Sequence, residues 1–370
     1  MKQGWEYKKL GEVCEIYQPK TLSTDMLTKT GGYPVYGANG IIGYYNQYNH
    51  EEQEVLLTCR GATCGTVNIS KPYSWINGNA MVIHRKSEEM DFNFLKYLML
   101  SLDYSLIITG AAQPQITRQK LAPTKIGIPP KSTQLSIVSE LDKINELIRL
   151  KKEQLKDFDN LAQSIFYEMF GDPVENEKGW EVKKLKDIVS ENCSISYGIV
   201  QPGENVENGV PVVRPVDMNG TFIFRQGLKN TTKEISDSYK RTILKGNEIL
   251  MCVRGTTGVI TMATSDLKDC NVTRGITPIE CGPACNRYFL YYQILSPNVQ
   301  YYIKEHTRGI ALKQINMKDV REIPLFLPPL PLQHLFAQRI EQIERQKSAV
   351  QKSITDLETL RASRMQYWFE

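Results

Sequence analysis

The chain repeats itself, and this limits its fold more than any other property. GWEYKKLGEV, opening at Gly4, returns as GWEVKKLKDI at Gly179, an offset of 175. LLTCRGATCGTV from Leu56 is matched by ILMCVRGTTGVI from Ile249, and their Arg-Gly pairs, Arg60-Gly61 and Arg254-Gly255, lie 194 apart. QITRQKLAPTKIGIPP from Gln115 recurs as QINMKDVREIPLFLPP from Gln314, an offset of 199. One such match could arise by chance; three in the same order do not. The 370 residues therefore hold two unequal copies of one unit. The second copy is longer by about 24 residues, which are expected in loops inside the repeat.

Each copy divides in two. The first part is turn-rich. GGYPVYGANGIIGYYNQY breaks aromatic and β-branched residues with Gly and Asn, a pattern of short strands and tight turns. EVLLTCRG, AMVIHR and TKIGIPP are expected strands, and FNFLKYLMLSL from Phe92 and RYFLYYQILS from Arg287 predict one short helix per copy.

The second part is a long helix. Between Lys131 and Phe170 there is neither Gly nor Pro. Ile137, Leu141, Ile144, Ile148, Leu155, Phe158, Ala162, Ile165 and Met169 alternate steps of four and three, and Lys151 fills the one missed position. Phe336, Ile340, Ile343, Lys347, Val350, Ile354 and Leu357 keep the same register one repeat later. An apolar period near 3.5 residues over about 38 residues, roughly 57 Å of helix, is the signature of a coiled-coil-like pair. Lys151 and Lys347 interrupt the seam, either snorkelling at its edge or forming a polar layer that fixes pairing. The fold class is α+β, with a pseudo-two-fold internal repeat. Its expected domains are globular 1–130, helix 131–170, globular 171–332 and helix 333–370.

The formal net charge is +4, small for the length. The helix 131–170 carries 6 basic and 7 acidic residues, and 333–370 carries 6 and 5. Residues 1–130 carry 13 and 11, and 171–332 carry 20 and 18, so each globular part has a surplus of two. That permits an anionic partner without demanding one. No apolar run reaches the ~18 residues of a membrane span, and the start MKQGWEYKKL lacks a signal-peptide core, so a cytoplasmic protein is expected. The eight cysteines lack the CxxC spacing of zinc sites and the four histidines do not cluster with them, so no metal site is expected.

Catalytic motifs are missing: there is no GxxxxGK[ST] phosphate loop, no GxGxxG after a strand, no GxSxG elbow and no NPPY or DPPY tetrapeptide of an amino-methyltransferase. RGATCG and RGTTG are instead tight loops between strands. Arg60 and Arg254 either bond loop carbonyls or project toward a phosphate or a guanine edge. Asn39, Asn77 and Asn79 lie in turn-forming contexts. Gln115 and Arg118 precede the last strand of the first copy, as Lys313, Gln314 and Asn316 do in the second. With Arg214 and Arg274 these are candidate nucleic-acid contacts, because Gln and Asn can read adenine and Arg or Lys guanine.

Both copies open GWE-x-KKL, close on a PP element and run into helices that end LAQSIFYEMF and LRASRMQYWF. Over essentially the whole chain this order resembles the specificity subunit of type I restriction-modification systems, found in bacteria and archaea. The resemblance implies that the globular parts are target-recognition domains, each reading half of a split, asymmetric sequence in double-stranded DNA. It implies an antiparallel helix pair that sets the gap. It also implies a subunit with no active site or cofactor, assembled with two methyltransferase subunits and with restriction subunits. S-adenosylmethionine, ATP and Mg would belong to those partners. Phe166, Phe170, Trp368 and Phe369 at the helix ends are expected to be exposed for partner docking. The competing readings are a restriction or modification enzyme with its own active site and a protein-interaction scaffold with no DNA role.

Overall fold

The computed structural model describes residues 2–110, 113–310 and 312–370. The chain forms two compact units, Met1–Lys152 with Lys352–Glu370, and Glu153–Gln351. The long helices span Lys131–Phe170 and Leu330–Phe369, and each contributes residues to both units. The second begins three residues before 333, because Pro331 stands at an early helical position where its missing N–H costs no hydrogen bond.

The first unit is built on an antiparallel sheet in which Ala80–Arg85 lies between Cys14–Tyr17 and Val55–Thr58, with Val67–Ile69 at the edge. A smaller sheet joins the hairpin Tyr33–Gly37 and Gly40–Tyr45 to Trp75–Ile76, the last running parallel. The second unit keeps this plan. Ile249–Cys252 lies between Ile260–Ala263 and Ile276–Ile279, and Val210–Val213 pairs antiparallel with Lys229–Thr231 and parallel with Asn271–Val272. Most of the added length falls between these strands. The two-residue turn of the first hairpin is replaced by Arg214–Leu228, which carries an extra edge strand, Phe222–Ile223. The helices Lys233–Ser238 and Pro297–His306 are further additions. The insertions thus have structure of their own and are not loops alone.

The short helix of each copy starts at a side-chain cap. Asp91 accepts from Phe94 N at 3.0 Å, and Asn286 accepts from Tyr288 N at 2.9 Å. A buried glutamine then ties each cap to the start of a long helix. Gln134 Oε1 accepts from Asp91 N at 2.8 Å, while its Nε2 donates to the Pro129 and Glu89 carbonyls at 2.9 and 3.1 Å. Gln333, one repeat later, accepts from Asn286 N at 2.8 Å and donates to Pro328 and Ala284 at 2.8 and 3.1 Å. Beside the clamps, Ile137 and Leu141 enter the first core with Phe94 and Leu95, and Phe336 and Ile340 enter the second with Phe289 and Leu290.

The helices pair antiparallel within each unit. In the first, Arg364 holds Glu140 through two hydrogen bonds, Arg361 donates to Asn145 at 3.1 Å and Lys152 meets Glu358 at 2.9 Å. In the second, Phe336 packs on Phe166 and Phe170, and Lys347 meets Asp159 at 2.8 Å. Lys347 also bonds Glu344 at 3.0 Å. Burial works to lower its pKa, but the two carboxylates outweigh this and hold it above the ordinary lysine value. The expectation that Lys151 and Lys347 are equivalent positions of the two copies is not met, because the 199-residue register carries Lys151 to Val350 and Ile148 to Lys347. At the position of Lys347 the first copy carries the buried Ile148, and its own polar interruption, Lys151, falls one seam step later.

Phe166 and Phe170 are buried at 2% and 0% exposure, in a ring cluster with Phe289, Phe326 and Phe336. They are not exposed for docking, because this end of the helix packs on two sides, against the partner helix and against the globular core. Trp368 and Phe369 are half-buried. Trp368 donates to Glu140 at 2.9 Å and Phe369 packs on Phe94 with ring centres 5.6 Å apart, so both fasten the chain's end to the first unit.

Replacing Gln333 with Leu keeps the volume and removes all three bonds of one clamp. The expected result is a loss of about 1–3 kcal/mol, read as a lower urea midpoint of the full chain. An unchanged midpoint would contradict the clamp.

Candidate nucleic-acid interface

The same loop is built twice. The strand Val55–Thr58 runs into Cys59-Arg60-Gly61, and Ile249–Cys252 runs into Val253-Arg254-Gly255. Gly61 and Gly255 have φ of +90° and +87°, and Gly65 and Gly258 have +95° and +89°, backbone that glycine adopts without strain. Gly65 N donates to Thr58 O at 2.9 Å, and Gly258 N donates to Cys252 O at 2.9 Å. The loop then clips onto the segment before the last strand of its copy. Gly61 N donates to Pro114 O at 3.0 Å and Ile116 N to Cys59 O at 3.0 Å. Their counterparts are Gly255 N to Lys313 O at 2.8 Å and Ile315 N to Val253 O at 3.0 Å. Arg60 thereby bridges Gln115, and Arg254 bridges Gln314.

These clips bring most of the candidates together. In the first unit Arg60, Asn39 and Asn79 are exposed and Gln115 is half-exposed. Asn39 occupies a hairpin turn, where Thr63 Oγ1 bonds its Oδ1, and Asn79 accepts from Cys59 N through its backbone carbonyl, which leaves its carboxamide outside that bond. Arg118 is exposed at the first position of the short helix Arg118–Leu121. In the second unit Arg254 is half-buried, and its Nε is buried with no hydrogen-bond partner among the described residues. Gln314 donates to the Tyr197 hydroxyl at 3.1 Å, and the Arg274 guanidinium lies 5.9 Å from the centre of the same ring. Lys313 and Asn316 are exposed, the latter at the start of the short helix Met317–Arg321 without capping it through its side chain.

Two candidates are committed to the fold instead. Asn77 is buried, and its carboxamide holds Leu22 by accepting from the backbone N–H at 2.8 Å and donating to the carbonyl at 3.3 Å. Arg214 forms a two-pronged pair with Asp217 at 3.0 and 2.7 Å, closing the turn Pro215–Asp217. That bond to Asp217 raises its pKa and neutralises its charge locally.

Two residues join the site that the repeat comparison passed over. Tyr197 is the ring shared by Gln314 and Arg274. Gln18 is exposed and donates to Gly78 O at 2.8 Å and to Cys59 Sγ at 3.0 Å, beside the first Arg-Gly loop. A further short match marks its position: Gln18-Pro19 recurs as Gln201-Pro202.

Among the described residues no group of His, Cys, Asp and Glu could hold a metal ion, and no helix is long and apolar enough to cross a membrane. All eight cysteines are free.

Residues 2–157 and 177–359 match the model of a family described as the type I restriction modification DNA specificity domain. The chain is 27% identical over 180 residues to the EcoBI type I restriction enzyme specificity subunit of Escherichia coli, covering 48% of this chain but only 37% of that protein. It is 23% identical to a putative type I specificity subunit of Mycoplasma pneumoniae, over 98% of this chain and 95% of that one. The fold is similar to the solved type I restriction-modification S subunit of M. genitalium, with a TM-score of 0.59, 15% identity and coverage of 99% and 96%.

Arg60→Ala and Arg254→Ala are each expected to weaken DNA binding about tenfold, the scale of one lost guanine or phosphate contact, with the melting temperature unchanged. Asn77→Ala should do the reverse, lowering stability by about 1–2 kcal/mol without altering which bases are read. Titration of DNA and thermal melting of the three variants separate the two roles. Equal loss of stability in the arginine variants would mark those side chains as structural.

Proposed function

This chain belongs to the type I restriction modification DNA specificity family, and on that premise we propose that it reads a two-part DNA target and performs no chemistry itself. One observation carries the reading: both units hold an Arg-Gly loop against a Gln-bearing segment through the same backbone hydrogen bonds. A repeated backbone with non-identical side chains is what two related readers of different sequences require. Phosphate contacts position such a reader, and side chains at base edges specify the sequence.

Each unit then reads one half of the target. Asn39, Asn79 and Gln18 bond to the loop that carries Arg60, whereas Lys313, and Tyr197 and Arg274 through Gln314, adjoin the loop that carries Arg254, so the halves differ and the target is asymmetric. The 40-residue helices, about 60 Å each, set the gap between halves, against ~34 Å for one turn of duplex. Methylation of adenine from S-adenosylmethionine is assigned to two partner methyltransferase subunits. ATP- and Mg-dependent cleavage is assigned to restriction subunits. With a surplus of only two positive charges per globular part, the chain alone binds weakly, and its partners supply further affinity.

Salt-dependent binding of pooled duplexes by the chain together with its methyltransferase partner tests the role, and absence of salt-sensitive binding overturns it. Exchanging residues 1–130 for those of a related chain is expected to alter one half of the motif seen by methylome sequencing. Lengthening both helices by one turn is expected to alter only the gap. A swap that changes both halves would refute independent readers.

A further inference from the structure

In the second unit the strands Thr307–Arg308 and Gln314–Ile315 form a hairpin, pairing Thr307 with Ile315 and Arg308 with Gln314. Its loop opens with Gly309 at φ +101°, where a Cβ would lie 2.3 Å from the Leu312 carbonyl oxygen, so glycine is required for the turn to close. The hairpin base is fixed to the Arg254-Gly255 loop by the hydrogen bonds of Gly255 N to Lys313 O and Ile315 N to Val253 O. From this anchored tip Ile310 stands at 103% exposure and Leu312 at 47%. Arg308 and Lys313 are exposed on either side.

A fully solvated isoleucine adds nothing to the packing of its own unit, and removing it leaves no cavity. Single exposed aliphatic residues are common on protein surfaces. This one, however, sits on a turn pinned beside the candidate base-reading arginine, with cations flanking it. We propose that Ile310, backed by Leu312, is a wedge that enters the base stack of the half-site read by the second unit, with Arg308 and Lys313 on the adjoining phosphates. The inference rests on the DNA-reading role above and specifies how one half of the target is engaged. Aliphatic side chains placed between base steps unstack them and kink duplexes by roughly 20–90°. The energy of that step depends on its sequence, so a wedge discriminates among sequences without hydrogen bonds. The flanking cations favour a polyanion over an apolar protein surface. The 199-residue register places Ala111 and Gln113 at the positions of Ile310 and Leu312, so the first copy carries no large aliphatic residue there. The kink is confined to one half-site.

Once methylome sequencing has located the two halves, 2-aminopurine is placed in turn at each position of each half. The duplexes are bound by the chain assembled with its methyltransferase subunits. The expected result is a several-fold fluorescence rise at one step of the second unit's half-site, distinct from the methylated adenine. The rise is retained in Ile310→Leu and lost in Ile310→Ser, and no matching rise appears in the other half. Tight binding without such a rise, or a rise that survives Ile310→Ser, overturns the wedge and leaves the DNA-reading role standing. Loss of methyltransferase assembly in Ile310→Ser makes the tip a protein contact and likewise overturns it. Failure of the wild-type assembly to show salt-sensitive binding overturns the underlying role and the wedge with it.

Discussion

One buried carboxamide per unit ties the helical and globular parts together. Gln134 and Gln333 each satisfy the backbone N–H of a capping residue and the carbonyl of the first of the two prolines that precede a long helix. A buried amide that lost these partners would face the full cost of its desolvation, so the clamp admits one helix position and excludes neighbouring ones. With that position set, Ile137 and Phe336 fall into their cores and the apolar seam that follows is in register. The repeat seen in the sequence, one globular part followed by one helix, is nevertheless not the structural unit. Each compact unit takes helix from both copies, and the first is completed by residues 352–370 at the far end of the chain. Trp368 and Arg364 on Glu140 are the visible form of that closure. Glu140 is held below the usual carboxylate range, first by its bond to Arg364, so the closure is strongest above the ordinary glutamate pKa and weakens as pH falls through the depressed one.

The loops that carry the candidate contacts are shaped by backbone and not by their own side chains. Four glycines at positive φ, two per unit, turn the chain back on itself, and the clip to the Gln115 or Gln314 segment supplies the remaining hydrogen bonds. Because the main chain satisfies itself, Arg60 is not needed to hold its loop and is free to face outward. Arg254 differs by degree, with its Nε buried beside a clip that uses only main-chain atoms. A loop built this way tolerates change in the residues it displays, which suits readers of different sequences on one scaffold.

The repeat, the long helices and the Arg-Gly loops were legible in the sequence because each leaves a periodic or positional trace. Glycine recurs where φ must be positive, and apolar residues recur where a helix face is buried. What escaped depended on partners far along the chain. Asn77 is in a turn-forming sequence, but its bonding partner Leu22 is 55 positions away, and nothing local separates it from the exposed Asn79. Arg214 was more accessible to reasoning, since Asp217 three residues on is a standing invitation to an ion pair. The aromatic helix ends looked like docking surfaces because a helix-pair seam accounts for only one face. Phe166 lies off the seam, and it is the globular core on the other side that buries it. Tyr197 belongs to a stretch with no recognisable counterpart in the first copy, so a search by repeat position could not reach it.

The two units differ in the parts that would decide specificity. Their larger sheets share three strands in the same order and differ at the edges, and their loops share hydrogen bonds. The second unit, however, replaces a two-residue turn at Asn39 with the segment Arg214–Leu228, gains Tyr197 between Gln314 and Arg274, and carries at its hairpin tip Ile310, for which the 199-residue register gives alanine in the first copy. Insertions at these points leave the sheet register intact, since the flanking strands keep the same neighbours. Under the proposed role, differences at these points would let the two units bind different sequences while keeping the paired strands they share. The polar insertion of Lys347 into one unit's helix seam adds a second asymmetry, because Ile148 in the other unit offers nothing for Asp159 or Glu344 to pair with. Of the two carboxylates on the half-buried Lys347, Glu344 lies on the same helix and only Asp159 reaches across, so this single interhelical bond is what favours the observed pairing of unlike helix segments.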